Sequence, residues 1–366
     1  MNPENNNKIC FFNSTHTWGG GEKWHFEMAS ELHKLGYKVL FVAGKGSVLA
    51  EKLSKTTIPF VLFSIGNLSF LNPFKLISLK RLFRKEGISV ILINLSADLK
   101  AAGISARMAG VNRRIYRRGS AIPVKNSYLN RWLFSRVLTD VLANSEATKF
   151  TLLQNNPKLF SLEKIKVIYN GLHLEKYTTS QKNKLYHASP GEIVIGHAGR
   201  MVYQKGHEYL IKIAAELKKE GINFTLLLAG TGPLEQQIKD RVESLGLSKD
   251  VIFLGFVEDM VGFMNTIDIF VLTSRWEGFG FVLAEAMLQK KPVVAFHISS
   301  NPELIIHGKN GFLAEPFDLK EFSNYLITLI KNPKLQSDFG KAGYERACEK
   351  FSFDRAVMDL LKMIHS

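Results

Sequence analysis

The 366-residue chain carries 48 Lys and Arg against 33 Asp and Glu, a formal charge of +15, with 46% hydrophobic residues and two cysteines. That composition suits a globular protein long enough for two domains with separate cores, and it excludes a disulfide-stapled small domain. Cys10 and Cys348 stand in no metal-ligand spacing, no window approaches ~18 uninterrupted apolar residues, and the start, Met1–Lys8, is polar, so a structural zinc, a membrane span and export are not expected.

From Lys8, KICFFN reads as a strand, the cluster Gly19, Gly20, Gly21 as a loop, and Glu22 to Leu35 as an amphipathic helix stopped by Gly36. YKVLFVAG then resumes as a second strand, which completes a parallel β-α-β unit. Further apolar runs predict strands at 89–94, 137–144, 166–168, 193–196, 224–229, 251–253, 269–273 and 292–296. Helical patterns at 206–220, 233–245 and 281–289 lie between several of them. Runs without polar alternation fit strands covered on both faces, so the fold class is α/β with doubly wound parallel sheets. The polar, aperiodic stretch TTSQKNKLYHASPG places a linker near 176–191, giving domains at 1–177 and 190–350. A terminal amphipathic helix near 351–366 is expected, with packing back on the first domain and packing on the second both open.

The charge is lopsided. Residues up to Tyr177 hold 26 basic and 11 acidic side chains, and the remainder holds 22 of each. The excess concentrates in Lys75, Lys80, Arg81, Arg84 and Lys85, and again between Arg107 and Arg136. Such a field attracts an anion, whether nucleic acid, a membrane face or a phosphorylated small molecule. The arginines lack the aromatic interleaving of nucleic-acid modules, so nucleic acid is not expected as a partner.

Three places have the residue types of an anion- and hydroxyl-binding site. Gly19–Gly21 stands where a strand meets a helix, so backbone N–H groups can approach a phosphate, although a tight turn accounts for the glycines equally well. Arg200 and Lys205 follow the first strand of the second domain and could clamp a diphosphate. In SRWEGFGFVLAE, Glu277 and Glu285 are too far apart to be neighbours on one helix face, and ionised carboxylates accept hydrogen bonds from hydroxyls. Gly278 and Gly280 leave the amides of Phe279 to Val282 bare at a helix start beside the acids.

With these segments in order, WGGGEKW, VLANSEATK, VIYNGLHLEKY, GRMVYQKGHEYL, LLLAGTGPLEQQI, VIFLGFVEDM and the E-x7-E block SRWEGFGFVLAEAM, the whole chain resembles the retaining glycosyltransferases of the GT-B fold, family GT4. The resemblance implies two Rossmann-like domains with a cleft between them, a UDP- or GDP-linked sugar bound there as substrate, no cofactor and no metal. It assigns Arg200 and Lys205 to the donor diphosphate, where they stabilise the leaving nucleotide, Glu277 to the donor sugar hydroxyls and Glu285 to the ribose diol. Gly20 approaches the diphosphate from the first domain, the amides of Phe281 and Val282 complete its cradle, and Gly230 with the segment 256–260 around Val257 walls the nucleoside. Two places depart from the family's pattern. Lys290 and Lys291 precede PVVAF where a glycine is usual, and Ser299, Ser300 and Asn301 replace a glycine pair.

Front-face displacement, with the leaving diphosphate accepting the acceptor proton, is the expected route to retention. Asp98 is the candidate for orienting or deprotonating the acceptor hydroxyl, with an N-cap of the following helix as its equal alternative. His16 could touch the acceptor or a phosphate, but a loop histidine without a visible partner more often has no role, and His173, His197 and His207 are read the same way; Trp18 and Trp24 could face the acceptor, or be helix-flanking apolar contacts that need no ligand. The basic first domain points to an anionic or lipid-linked saccharide acceptor of the cell envelope, met by a cytoplasmic enzyme at the inner face of the membrane, with 113–118 and 75–85 as contact surfaces. A GT-B nucleotide-sugar epimerase and a basic nucleic-acid-binding protein are the alternatives.

Overall fold

The computed structural model describes residues 8–178 and 184–365. Seven strands form a first sheet: β1 (Lys8–Asn13), β2 (Val39–Ala43), β3 (Phe60–Leu62), β4 (Ile88–Ile93), β5 (Arg113–Arg118), β6 (Asp140–Ala143) and β7 (Ile165–Val167). Six form a second: β8 (Ile193–Ala198), β9 (Phe224–Ala229), β10 (Val251–Gly255), β11 (Ile269–Leu272), β12 (Val293–Phe296) and β13 (Gly311–Ala314). Every neighbouring pair runs parallel. The orders are β3-β2-β1-β4-β5-β6-β7 and β10-β9-β8-β11-β12-β13, so the winding reverses between β1 and β4 in one sheet and between β8 and β11 in the other. Parallel sheets of this kind hold ligands beyond the carboxyl ends of the strands at such reversals. Four loops therefore matter most, those leaving β1, β4, β8 and β11.

The central strands are apolar on both faces because helices cover both. β2 and β9 are buried at every position, and Phe12, Leu40 and Ile91 anchor one core while Ile195, Leu226, Val271 and Phe296 anchor the other. The chain divides into one compact unit running to Asn170 and rejoined from Ala356, and a second of Gly171–Arg355. The division falls before the polar stretch at 176–191 because the chain leading into that stretch, and the stretch's own later residues, are bonded into the second unit. Leu172 exchanges backbone hydrogen bonds with Phe351 and Phe353, at 2.8 and 2.9 Å. The Leu185 amide donates to Thr266, and the Tyr186 hydroxyl to Glu192, each at 2.8 Å. Residues 179–183, the middle of the expected linker, lie outside the described residues. Helix Phe353–His365 ends in the first unit, where the His365 ring lies 6.0 Å from that of Tyr37. Among the described residues no helix is long and apolar enough to cross a membrane.

The segment 113–118, expected as an exposed basic surface, is instead β5, paired between β4 and β6. Ile115, Tyr116 and Arg117 are buried, Arg113 forms an ion pair with Asp140 at 3.0 Å, and Arg114 donates to the carbonyls of Val111 and Val137. Three arginines are thus absorbed by the fold and do not form a contact surface. The strand expected over 137–144 shortens to β6 because Leu133–Val137 winds into a wide helical turn. β3 and β13 are short additional strands that close one edge of each sheet.

Both departures from the family's glycines carry glycine-like backbone. Lys290 and Ser299 have φ of 53° and 46°, in the left-handed region where a Cβ is disfavoured. Ser299→Gly relieves that cost, worth about 1 kcal/mol, and is expected to raise the thermal midpoint of the second unit by roughly 2–4 °C. A lower midpoint in a thermal melt would contradict the reading.

Candidate active site

In the second unit the loops leaving β8 and β11 are pressed together. Gly206 has φ of 63°, and a Cβ there would lie 2.1 Å from the Thr273 carbonyl oxygen, so only glycine permits the approach. The Thr273 hydroxyl donates to the Gly206 carbonyl at 3.1 Å, the Arg275 amide to the Gln204 carbonyl at 2.7 Å, and the Gln204 side chain to the Trp276 carbonyl at 2.9 Å. Arg275 adds its guanidinium over the rings of Tyr203 and Tyr209, 4.0 and 4.7 Å from the centroids, and an ion pair with Glu208.

These contacts place two residues 72 apart in sequence within bonding distance. Lys205 Nζ lies 2.6 Å from Glu277 Oε1, and the Ser274 hydroxyl donates to the same oxygen at 2.6 Å. The two charged side chains are 14% and 7% exposed. Burial raises the value of such a pair's mutual attraction and makes an unpaired member costly. His207 next to Lys205 cannot add charge, since burial, with Lys205 nearby, pushes its imidazole down to about 4. His197, buried against His207 with their ring centres 4.8 Å apart and its Nδ1 at the Val271 carbonyl, is likewise held well below its ordinary range by burial. Arg200 is exposed and forms no ion pair among the described residues.

The E-x7-E block continues into helix Phe281–Leu288, started by Gly280 at φ of 83°, with Phe281 and Val282 half-buried in its first turn. Glu285, one turn further, accepts from the Tyr177 hydroxyl at 3.1 Å, and Gln289 donates to the Tyr177 carbonyl at 2.8 Å. Glu277 and Glu285 thus have separate partners. Gly230, at φ of 130°, would place a Cβ 2.1 Å from the Gly199 carbonyl oxygen, so close packing of the β8 and β9 loops already requires this glycine. Its amide donates to Gly255 at 2.7 Å, which ties in the loop that carries Val257, half-buried beside the exposed Phe256.

In the first unit Gly20 is the exposed first residue of helix Gly20–Lys34. Asp98 departs from its expectation. Asp98 stands at the N-cap of the following turn, Leu99–Gly103, but its side chain makes no capping hydrogen bond there; it is completely buried and accepts from the Ser14 amide at 3.0 Å and from the Ser14 hydroxyl. A carboxyl so enclosed has no surface on which to meet an acceptor hydroxyl; it joins the β1 and β4 loops.

Beside it is a polar cluster that the sequence did not reveal. Glu22 Oε1 accepts from Asn94 at 3.1 Å and from Asn13 at 3.4 Å, while Arg117 donates to Asn94 at 3.1 Å and to Asn170 at 2.9 Å. Arg117 is 2% exposed, its guanidinium lies 4.5 Å from the Trp24 ring centre, and burial lowers it to about 10. A Cβ on Gly21 would stand 3.0 Å from the Asn94 side chain, so the glycine run also lets the helix start over this cluster. Trp24 is core, and Trp18 is partly exposed with the Lys52 ammonium 4.8 Å from its ring centre. His16 is exposed, and His173 stacks on Phe353 with ring centres 4.0 Å apart. Among the described residues no group of three or more His, Cys, Asp or Glu side chains is placed to hold a metal ion.

Two parallel-sheet Rossmann-like domains, with carboxylates and cations at the switch-point loops of the second, have the architecture of the GT-B glycosyltransferases. Family models agree: the model "Glycosyltransferase Family 4" matches residues 18–176 and "Glycosyl transferases group 1" matches 180–346. The chain belongs to the glycosyltransferases. It is 32% identical over 224 residues to the capsular polysaccharide biosynthesis glycosyltransferase CapM of Staphylococcus aureus, a match covering 58% of each chain. A poly(ribitol-phosphate) alpha-N-acetylglucosaminyltransferase of Staphylococcus aureus (strain COL) is 30% identical over 48% of this chain and 36% of its own. The chain therefore spans between a third and three fifths of these two relatives. The crystal structure of Anabaena Alr3699/HepE in complex with UDP and glucose superposes with a TM-score of 0.81 at 25% identity, over 98% of this chain and 99% of that one.

Burial pushes the Asp98 carboxyl up to about 7 from 3.8, against the opposing hydrogen bonds from Ser14. The folded state then holds this proton more tightly than the unfolded chain, so stability drains away as pH rises from about 4 to about 7. Asp98→Asn keeps both bonds to Ser14 by presenting one acceptor and one donor. Melting temperatures of both proteins from pH 4 to 8 are expected to show the wild type losing ground to the variant across that window. A constant difference would contradict the assignment.

Proposed function

We propose that the protein is a retaining, metal-independent glycosyltransferase that moves a sugar from a UDP- or GDP-linked donor to an anionic or lipid-linked saccharide in the assembly of cell-envelope polysaccharide or lipopolysaccharide. The observation that carries the reading is the Lys205–Glu277–Ser274 cluster at the β8/β11 reversal. Lys205 and Ser274 occupy Oε1 of Glu277 and fix the carboxylate, so that Oε2 is the atom offered to a donor sugar hydroxyl. The ammonium of Lys205 and the guanidinium of Arg200 take up the charge that develops on the leaving diphosphate, the task a divalent cation performs in other transferases. Glu285, oriented by Tyr177, accepts from the ribose diol, and the helix start at Phe281 and Val282 adds its amides to the phosphate side. The Anabaena relative bound to UDP and glucose favours a UDP-linked donor, and the capsule transferase favours an envelope acceptor.

Displacement on the front face needs no side-chain nucleophile. The incoming hydroxyl passes its proton to the departing diphosphate, which the two cations have made a stable anion. With Asp98 enclosed, proton transfer to the diphosphate is the step this reading retains. The basic surface left after Arg113, Arg114 and Arg117 are absorbed lies mainly along 75–85, and it brings the acceptor's anionic surroundings to the inner face of the membrane.

A thermal-shift panel of UDP, GDP, ADP, CMP and their common sugar conjugates, run in EDTA, tests the donor assignment. At 100 times its Kd a ligand adds roughly 2.7 kcal/mol. One nucleotide series is expected to stabilise the wild type and to lose its effect in Glu285→Ala and Arg200→Ala. No stabilisation by any of them would overturn the assignment, and stabilisation only after adding a divalent cation would overturn metal independence.

A further inference from the structure

Helix Pro73–Lys85 buries Leu79 and Phe83 against the first core. At 100° per residue the opposite face carries Phe74, Ile77, Arg81, Arg84 and Lys85, all exposed. Phe74 is 81% exposed, and the turn leading into the helix exposes Leu68 and Leu71 by 71% and 66%. From Lys52 to Lys85 the sequence contains seven cations and no acid, and Glu86, the next residue, has its charge paired with Lys8 at 2.5 Å. A large apolar group held in water is unfavourable, and several together beside cations mark an interaction surface.

The topology gives this face a position. β3 is the edge strand, and residues 63–72 leave its carboxyl end, so the Phe74 end of the helix stands at the same end of the sheet as the Gly19–Gly21 loop. The apolar residues are at the ligand-bearing end, and the cations follow along the helix away from it.

We propose that this face docks on an anionic lipid bilayer, with Leu71, Phe74 and Ile77 entering the boundary between headgroups and acyl chains and Arg81, Arg84 and Lys85 pairing with headgroup phosphates. Both kinds of residue are needed for that role, as in helices that lie in the plane of an interface. A nucleic acid or a soluble polyanion would engage the cations and leave Phe74 in water. The inference names the surface for the membrane contact of the proposed function and rests on that reading, but its test requires neither donor nor turnover.

Sedimentation with phosphatidylcholine vesicles, with and without phosphatidylglycerol, reads it directly. Wild type is expected to sediment with the anionic vesicles alone. Phe74→Ser/Ile77→Ser and Arg81→Gln/Arg84→Gln are each expected to lower the partition coefficient about tenfold or more, with wild-type melting temperatures and an unchanged thermal shift from the donor nucleotide. Wild type failing to bind anionic vesicles overturns the proposal. So does loss in the arginine variant with full binding in the Phe74/Ile77 variant, which would mark a polyanion surface. Because the nucleotide shift is read separately, a wild type that shows that shift but does not bind anionic vesicles rejects the membrane face and leaves the donor site standing.

Discussion

The buried ion pair between Lys205 and Glu277 is the interaction around which the second unit's loops are organised. At 2.6 Å and with little exposure, neither charge can be left alone without a large desolvation cost, so the loops after β8 and β11 must stay in register. The surrounding structure is arranged to that end. Gly206 allows the backbones to meet, Thr273 and Gln204 bridge them, and Arg275 clamps the outside between two tyrosines. Under the proposed function the pair would also prepare a carboxylate with one oxygen committed and a cation that a phosphate can share, preorganisation of the kind that lowers the cost of stabilising a leaving group.

The first unit solves the same problem differently. Its winding reversal between β1 and β4 also gathers charges, but Arg117 and Glu22 are separated by Asn94, which donates to one and accepts from the other. With Asn94, Asn170 and Trp24 around it, Arg117 braces the loops beneath the glycine run. Asp98, bound to Ser14, extends that bracing to the start of the β4 loop. The contrast is chemical. In the second unit Arg200 is exposed and Glu277 offers an oxygen, whereas in the first the buried charges are turned inward and the exposed cations lie along 75–85.

How much of this was legible follows from which residues interact locally. β9 was read with both boundaries because FTLLLA is apolar throughout and bounded by a helix and a glycine loop. RRIYRR was misread because four charges in six positions look solvated, and only pairing with β4 and β6 shows where their hydrogen bonds go. β3 and β13 were missed since strands of three and four residues give too short a pattern to distinguish from loop. In the candidate site, the residue types at 200, 205, 277 and 285 were readable from motif order, but the partner choice was not. Lys205 and Glu277 are 72 positions apart, and Tyr177 is 108 from Glu285, distances that only the winding of the sheet closes. Asp98 was visible as an acid at a strand end, yet its burial depends on Ser14, 84 residues earlier.

The central claim is that Lys205 and Glu277 act as one unit on the donor. A double-mutant cycle with Lys205→Met, Glu277→Gln and the combined variant, reading nucleotide-sugar binding by calorimetry, tests it most directly. The account predicts a coupling of about 1 kcal/mol or more, within the range for residues in direct contact. Losses that simply add in the double variant would show two independent contacts and contradict the account.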